Sequence, residues 1–196
     1  MVGRGISLWR GEELRERVAC MVALALFVAS VLYVFPFTVD DAFIVARYAR
    51  NLATRRGYSM NPGAWTDGVT GPLWLLPGVV AARGGAPVLV VQKALGAVLV
   101  GAGAWCAMPR RAPPWGRALY CAVLAAQASL VVWAVAGLET GAAFLAMALL
   151  VRGVTTGRRR LEILAAFVVP TLRPELVPAA AVLAVALATT EGADGG

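Results

Sequence analysis

Apolar and polar positions fall in long blocks along this chain. Val18 to Phe37 runs twenty residues without a charge, and at about 1.5 Å per residue such a run spans the roughly 30 Å hydrocarbon core of a bilayer. The seventeen residues before it are polar and carry Arg4, Arg10, Arg15 and Arg17. A secretory signal peptide also joins basic residues to an apolar core, but that core usually covers about 7–15 residues and ends at a small-residue cleavage site. Here the run ends Leu32-Tyr33-Val34-Phe35-Pro36-Phe37. The pattern therefore predicts an uncleaved first transmembrane helix, with residues 1–17 cytoplasmic.

Thr38 to Gly71 is the one long polar stretch. If Asp40 caps a helix from Asp41 to about Thr54, then Ile44, Val45, Tyr48 and Leu52 share one stripe while Arg47 and Arg50 fall toward the Asp40 side. Such a helix lies along the membrane surface. Asn61-Pro62-Gly63 is a turn signal. Pro72 to Ala82 is too short to cross and reads as a half-inserted or juxtamembrane element. Ala86 to Met108 is the second span, with Lys93 close enough to its end to reach the interface. Ala118 to Ala136, Gly141 to about Val154, Leu161 to Leu172 and Leu176 to Ala188 follow as further passes. The expected fold is all-α: a polytopic membrane protein of about six transmembrane helices over residues 18–190, with juxtamembrane helices in a first extracytoplasmic loop at 38–82 and a disordered tail at 191–196.

Composition supports this picture. Of 196 residues, 60% are apolar and 15% charged, against roughly 45–50% and 25% in soluble domains; the mean hydropathy is +0.74. An integral membrane protein, not a soluble globular domain, is the expected class. The net charge of +7 comes from arginines in short clusters between apolar runs, which sets membrane orientation and gives no reason to expect a nucleic-acid partner. Histidine is absent, so imidazole acid–base chemistry, Ser-His-Asp and Cys-His systems and His-ligated metals are excluded. Cys20, Cys106 and Cys121 lie in apolar segments without CxxC spacing and read as small buried residues.

The alternation of passes puts the basic loops on the cytoplasmic side and Asp40, Asp41, Asp67, Glu139, Arg173 and Glu175 on the other. Paired carboxylates suit proton abstraction from a hydroxyl or chelation of a hard divalent cation, and nearby arginines suit a phosphate. Each group also has a plainer reading. Asp40-Asp41 can be a helix start stabilised by the dipole, Arg47 and Arg50 a solvated or headgroup-facing surface, Glu139 an exposed helix end, and Arg173-Pro174-Glu175 a helix break with a local ion pair. Spacing alone does not choose between these readings.

The residues also resemble a known family. Asp40-Asp41-Ala42-Phe43-Ile44, Arg47-Tyr48-Ala49-Arg50-Asn51-Leu52, Gly57, Asn61-Pro62-Gly63 and Asp67-Gly68-Val69-Thr70-Gly71-Pro72-Leu73-Trp74 resemble the first outer loop of bacterial GT-C membrane glycosyltransferases. That loop reads approximately D-D-A-[FY]-I-x-x-R-Y-A-x-N-L, G, N-P-G, E-G-x-T-x-x-L-W. Trp133 through Gly137-Leu138-Glu139-Thr140 is similar to the family's W-x-x-x-G-L-E-T, and Leu172-Arg173-Pro174-Glu175 to its [TL]-R-P-E. The closest subgroup is the actinobacterial arabinofuranosyltransferase-like and mannosyltransferase-like proteins.

The resemblance implies transfer of a sugar from a polyprenyl-phosphate donor to a glycan or protein acceptor outside a bacterial plasma membrane. Asp40 or Asp41 would be the general base, the other orienting it or helping to hold a divalent cation. Arg47 and Arg173 would face the phosphate, with Arg50 and Asp67 beside them in the substrate loop, and Glu139 and Glu175 would meet sugar hydroxyls or position helices. Tyr48, Trp65 and Trp74 would stack on sugar or polyprenyl, although interfacial aromatics also serve as anchors. Asp67 and Val69 depart from the usual glutamate and aromatic. Relatives are longer, so the alternative expectation is a non-catalytic membrane subunit that binds polyprenyl phosphate or assists a larger enzyme, with a partner polypeptide completing the fold. A transporter has only the helix count behind it.

Overall fold

The computed structural model describes residues 2–63, 66–182 and 185. Among these there are helices and turns but no strand: α1 (Val2–Val34), α2 (Asp40–Ala53), α3 (Leu75–Arg83), α4 (Val88–Ala107), α5 (Pro114–Ala125), α6 (Ala128–Ala134), α7 (Thr140–Thr156) and α8 (Arg159–Leu172). Short 3-10 turns at Pro72–Trp74 and Pro174–Leu176 precede α3 and a helical stretch at 177–182. The expected tail at 191–196 lies outside the described residues.

Proline and glycine set most boundaries. Pro36 lacks an N–H and disfavours helical geometry at Phe35, so α1 stops at Val34, short of the expected Phe37. Pro109 does the same for α4, whose last cap Met108 is extended. Pro114 sits in the first turn of α5, where its missing donor has no intrahelical partner to lose. Gly157, at φ +64°, closes α7; Arg158 N–H bonds Gly153 O at 2.9 Å and Gly157 N–H bonds Val154 O at 3.2 Å, the paired bonds of a Schellman motif.

Among the described residues, two helices are long and apolar enough to cross a membrane: α1, over Leu14–Val34, and α4. The expected single span at Ala118–Ala136 is instead broken at Ala126-Gln127 into α5 and α6, bent by 62°, and counts as a third crossing only if the pair acts as one. The six-span expectation is thus met only in part. α7 has 17 residues and α8 has 14, or roughly 25 and 21 Å at 1.5 Å each. No residue of the apolar stretch of α1 is fully buried by the protein, and Leu24, Leu26 and Leu32 are all more than half exposed. An apolar surface of that extent suits lipid rather than water.

α4 packs on α7, α7 on α8, and α1 on α5. Glycines permit the α4–α7 contact: a Cβ on Gly141 would lie 2.4 Å from Gly96 O, so the two backbones touch as small-residue helix pairs do. Side-chain contacts then sort the chain into two ends. At one, Arg117 holds Glu16 through two 2.6 Å bonds, Tyr120 Oη donates to Ala104 O, and Arg152 donates to Cys106 O. The Cys20 and Cys121 thiols face one another at 2.8 Å across α1 and α5, both free.

At the other end, Lys93 is buried. Its ammonium is held by the turn that follows α1 rather than by water: its Nζ donates to Phe35 O, to Phe37 O at 2.7 Å and to Thr38 Oγ1 at 2.9 Å. Lys93 therefore fixes the turn that carries the chain from α1 into α2. There the main core forms around α2, with Ala42, Val45, Tyr48 and Ala49 packed against Trp74, Leu75 and Leu138. A second core joins α7 and α8 through Leu150, Val169 and Leu172.

Candidate functional site

Asp40 and Asp41 form the first turn of α2. The cap is Val39, extended and without a side-chain cap bond, so Asp40 does not serve as the expected N-cap. Both carboxylates are placed favourably against the helix dipole, with no capping bond to hold them. Asp41, not Asp40, borders a pocket of about 300 Å³ together with Val45, Gly68, Val69, Thr70, Trp133, Leu138, Glu139 and Arg173. That volume is at the lower end of small-molecule sites.

Three turns bring these distant segments together. Gly137 has φ +93°, a conformation glycine adopts freely, and a Cβ there would lie 2.8 Å from Ala42 Cβ. The 133–139 segment therefore reaches α2 only with glycine at this position. Trp74 Nε1 donates to Gly137 O at 3.1 Å, and Val39 N–H reaches Ala136 O at 3.4 Å. Arg173 arrives at the end of α8, where its extended backbone breaks the helix.

Glu139 is buried, and its Oε1 accepts from Arg173 Nε at 2.9 Å. Arg173 also bonds Glu175 Oε1 at 2.8 Å and Thr140 Oγ1 at 3.1 Å. Burial pushes the Glu139 carboxyl above its ordinary range, although its own backbone N–H and Arg173 pull the other way. Glu175 is exposed, and its hydrogen bond from Arg173 holds its carboxyl below the ordinary range. The local Arg173–Glu175 pair foreseen at the helix break is thus real, and Glu139, far from being an exposed terminus, joins it from another helix.

The other site candidates lie elsewhere. Arg47 and Arg50 border a separate pocket of about 380 Å³ with Asn51, Thr54, Arg56 and the 82–88 turn. Tyr48 is in the core, its hydroxyl bonded to Thr66 O at 2.6 Å and Thr66 Oγ1 at 2.8 Å, which removes it from a stacking role. Trp74 is likewise buried. Asp67 is exposed and accepts from Tyr58 Oη at 3.1 Å, bordering neither pocket. Trp65 lies outside the described residues.

Sequence reasoning passed over Arg56, whose Arg55-Arg56-Gly57 context looks like ordinary loop, and Thr140, which steadies Arg173. A divalent cation fits the pocket poorly. Among the described residues no three His, Cys, Asp or Glu side chains converge, Asp40 is not beside Asp41 in the pocket, and Glu139 is held by a guanidinium. What the arrangement offers is an accessible carboxylate opposite a fixed carboxylate–guanidinium pair. No family model, curated protein or solved structure matches this chain.

Proposed function

We propose that this chain acts in glycosyl transfer from a polyprenyl-phosphate-linked sugar to an extracytoplasmic cell-envelope acceptor, with Asp41 as the general base. The observation that carries the reading is that Asp41, Glu139 and Arg173, from three motifs far apart in sequence, border one pocket. In the proposed reaction an acceptor hydroxyl oxygen attacks the anomeric carbon, its proton passes to the Asp41 carboxylate, and the bond to the phosphate oxygen breaks with its electron pair leaving on the lipid phosphate. Arg173 supplies fixed positive charge toward the leaving group, and Glu139 orients that guanidinium.

The same reading places the chain in a bacterial plasma membrane. The Arg117 end faces the cytoplasm, the Asp41 end faces outward, and the shorter helices complete about six passes. A second reading, a non-catalytic subunit that binds polyprenyl phosphate or assists a larger glycosyltransferase, is favoured by the engagement of Arg173 by two carboxylates and Thr140, which weakens its pull on a leaving phosphate.

The test is transfer from radiolabelled polyprenyl-phosphate pentoses and hexoses by membranes containing Asp41→Asn or Asp40→Asn variants. Loss of the base is expected to lower the rate by about 10²–10⁴-fold for Asp41→Asn and to leave Asp40→Asn near wild type. Equal rates in wild type and Asp41→Asn would remove the base role. Lipid-phosphate binding without transfer by any of the proteins would establish the subunit reading.

A further inference from the structure

The arginine-lined pocket shares no residue with the Asp41 pocket. At 100° per residue, Arg47 and Arg50 fall on the side of α2 turned away from Asp41 and Val45, with Asn51 and the cap residue Thr54 adjoining them. Arg50 also stands two and a half turns from Asp41, roughly 13 Å along the axis. The phosphorus and the anomeric carbon of a sugar phosphate are joined through a single oxygen, so one donor does not place its phosphate at Arg50 and its reacting carbon at Asp41.

Among the described residues the pocket is lined by three arginines and no acidic residue. Among the described residues the Arg50 and Arg56 guanidinium groups have no ion-pair or hydrogen-bond partner. Arg47 is steadied by one bond, from Nε to Met60 O at 3.3 Å, which leaves its two terminal nitrogens unengaged. The floor is fixed: Asn51 Nδ2 donates to Ser59 O at 2.7 Å and Met60 O at 3.1 Å, and Thr54 Oγ1 donates to Arg50 O at 2.9 Å. Three like charges around one cavity repel each other, and an anion between them relieves that repulsion. A guanidinium presents a planar fork of donors that matches two phosphate oxygens.

We propose that this pocket is a second anion site that takes a phosphate group, separate from the transfer pocket. The group is either the phosphodiester of an anionic lipid headgroup or free phosphate. The full chain, reconstituted in nanodiscs of phosphatidylcholine containing phosphatidylglycerol, is expected to retain phosphatidylglycerol through detergent extraction, read by native mass spectrometry. Arg50→Gln with Arg56→Gln should lower the retained lipid at least tenfold. Arg50→Lys with Arg56→Lys, which keeps the charge and loses the fork, should fall between the two.

Removing two charges from the opposite end, Arg110→Gln with Arg111→Gln, should leave retention at the wild-type level. Displacement of phosphatidylglycerol from wild type by inorganic phosphate would assign the site to a free phosphate group, and failure to displace it would assign it to the lipid headgroup. Wild-type retention by the Arg50→Gln/Arg56→Gln protein, or an equal loss in the Arg110→Gln/Arg111→Gln protein, would overturn the proposal. The readout is lipid retention, so it stands or falls independently of glycosyl transfer.

Discussion

The two faces of α2 carry pockets of similar size and different charge. On one, Arg173 lies between Glu139 and Glu175 while Asp41 stands opposite. On the other, Arg47, Arg50 and Arg56 border a cavity with no acidic residue among the described ones. Their construction differs as much as their chemistry. The first needs α2, the 68–70 loop, the 133–139 segment and the end of α8 to meet; the second needs only the latter half of α2, Arg56 and the 82–88 turn. In the first, the charges also hold the fold together, so function and stability are coupled. In the second, Arg47 makes a single bond, to Met60 O, and Arg50 and Arg56 hold nothing in place, so those two charges can be removed with little effect on the fold.

The largest expected effect tests that coupling. Arg173→Ala leaves the Glu139 carboxyl, only 5% exposed, without its guanidinium. An unsatisfied buried polar group costs about 1–3 kcal/mol, so the variant should melt well below wild type in detergent. Arg50→Ala removes an unpartnered, exposed side chain and should stay within about 0.5 kcal/mol. Equal losses in the two variants would show that the arginine pocket is also a structural joint, and the comparison would fail.

A smaller effect appears in the pH dependence of stability. The folded-state pKa of Glu139 is raised, mainly by burial, so its contribution is fully present below the unfolded value and is lost as pH rises through the folded one. Glu175 has the opposite sign: its pKa is lowered by the Arg173 hydrogen bond, and its contribution is present above the unfolded value and lost as pH falls through the folded one. Denaturant unfolding of Glu139→Gln should therefore give a stability difference from wild type that climbs with pH above the ordinary glutamate range. The difference for Glu175→Gln should decline with rising pH below that range. Arg50→Gln should give a flat difference across both windows, since no acidic residue among the described ones lines its pocket. A sloped curve for Arg50→Gln would reveal a titrating partner.

Much of the helical framework was legible in the sequence, because apolar run length and proline placement are local signals. α2 and α4 fall within a few residues of their expected bounds, and α3 is the short element predicted between them. The break at Ala126-Gln127 was not legible, since the run from Ala118 to Ala136 stays uncharged across it. The fate of Lys93 was hidden for a different reason: its acceptors are carbonyls of a turn far away in sequence, and snorkelling to water was the only outlet its own helix suggested. For the site, motif order brought Asp41, Glu139 and Arg173 forward together. It also grouped them with Arg47, Arg50 and Tyr48, because residues on one short helix look like neighbours until α2 is seen to present them to two pockets and a core.

The smallest effect concerns Asp67, which the sequence grouped with the first pocket and the structure sets apart from both. Its Oδ1 accepts from Tyr58 Oη, and Tyr58 in turn packs on Tyr48 with ring centroids 4.9 Å apart. Burial is the main cause of the raised Tyr58 pKa, with the Asp67 hydrogen bond second. In Asp67→Asn the neutral acceptor no longer opposes the tyrosinate charge, so ultraviolet titration should show Tyr58 ionising at lower pH, yet still above the ordinary tyrosine value because burial persists. An exposed pair of this kind should change stability by no more than about 0.5 kcal/mol. Glycosyl transfer and phosphatidylglycerol retention should both stay at wild-type levels. A loss of transfer comparable to that of Asp41→Asn would bring Asp67 and its loop into the first pocket, and a loss of lipid retention would bring them into the second. Either result would mean that the 57–67 loop, rather than α2 alone, divides the two sites.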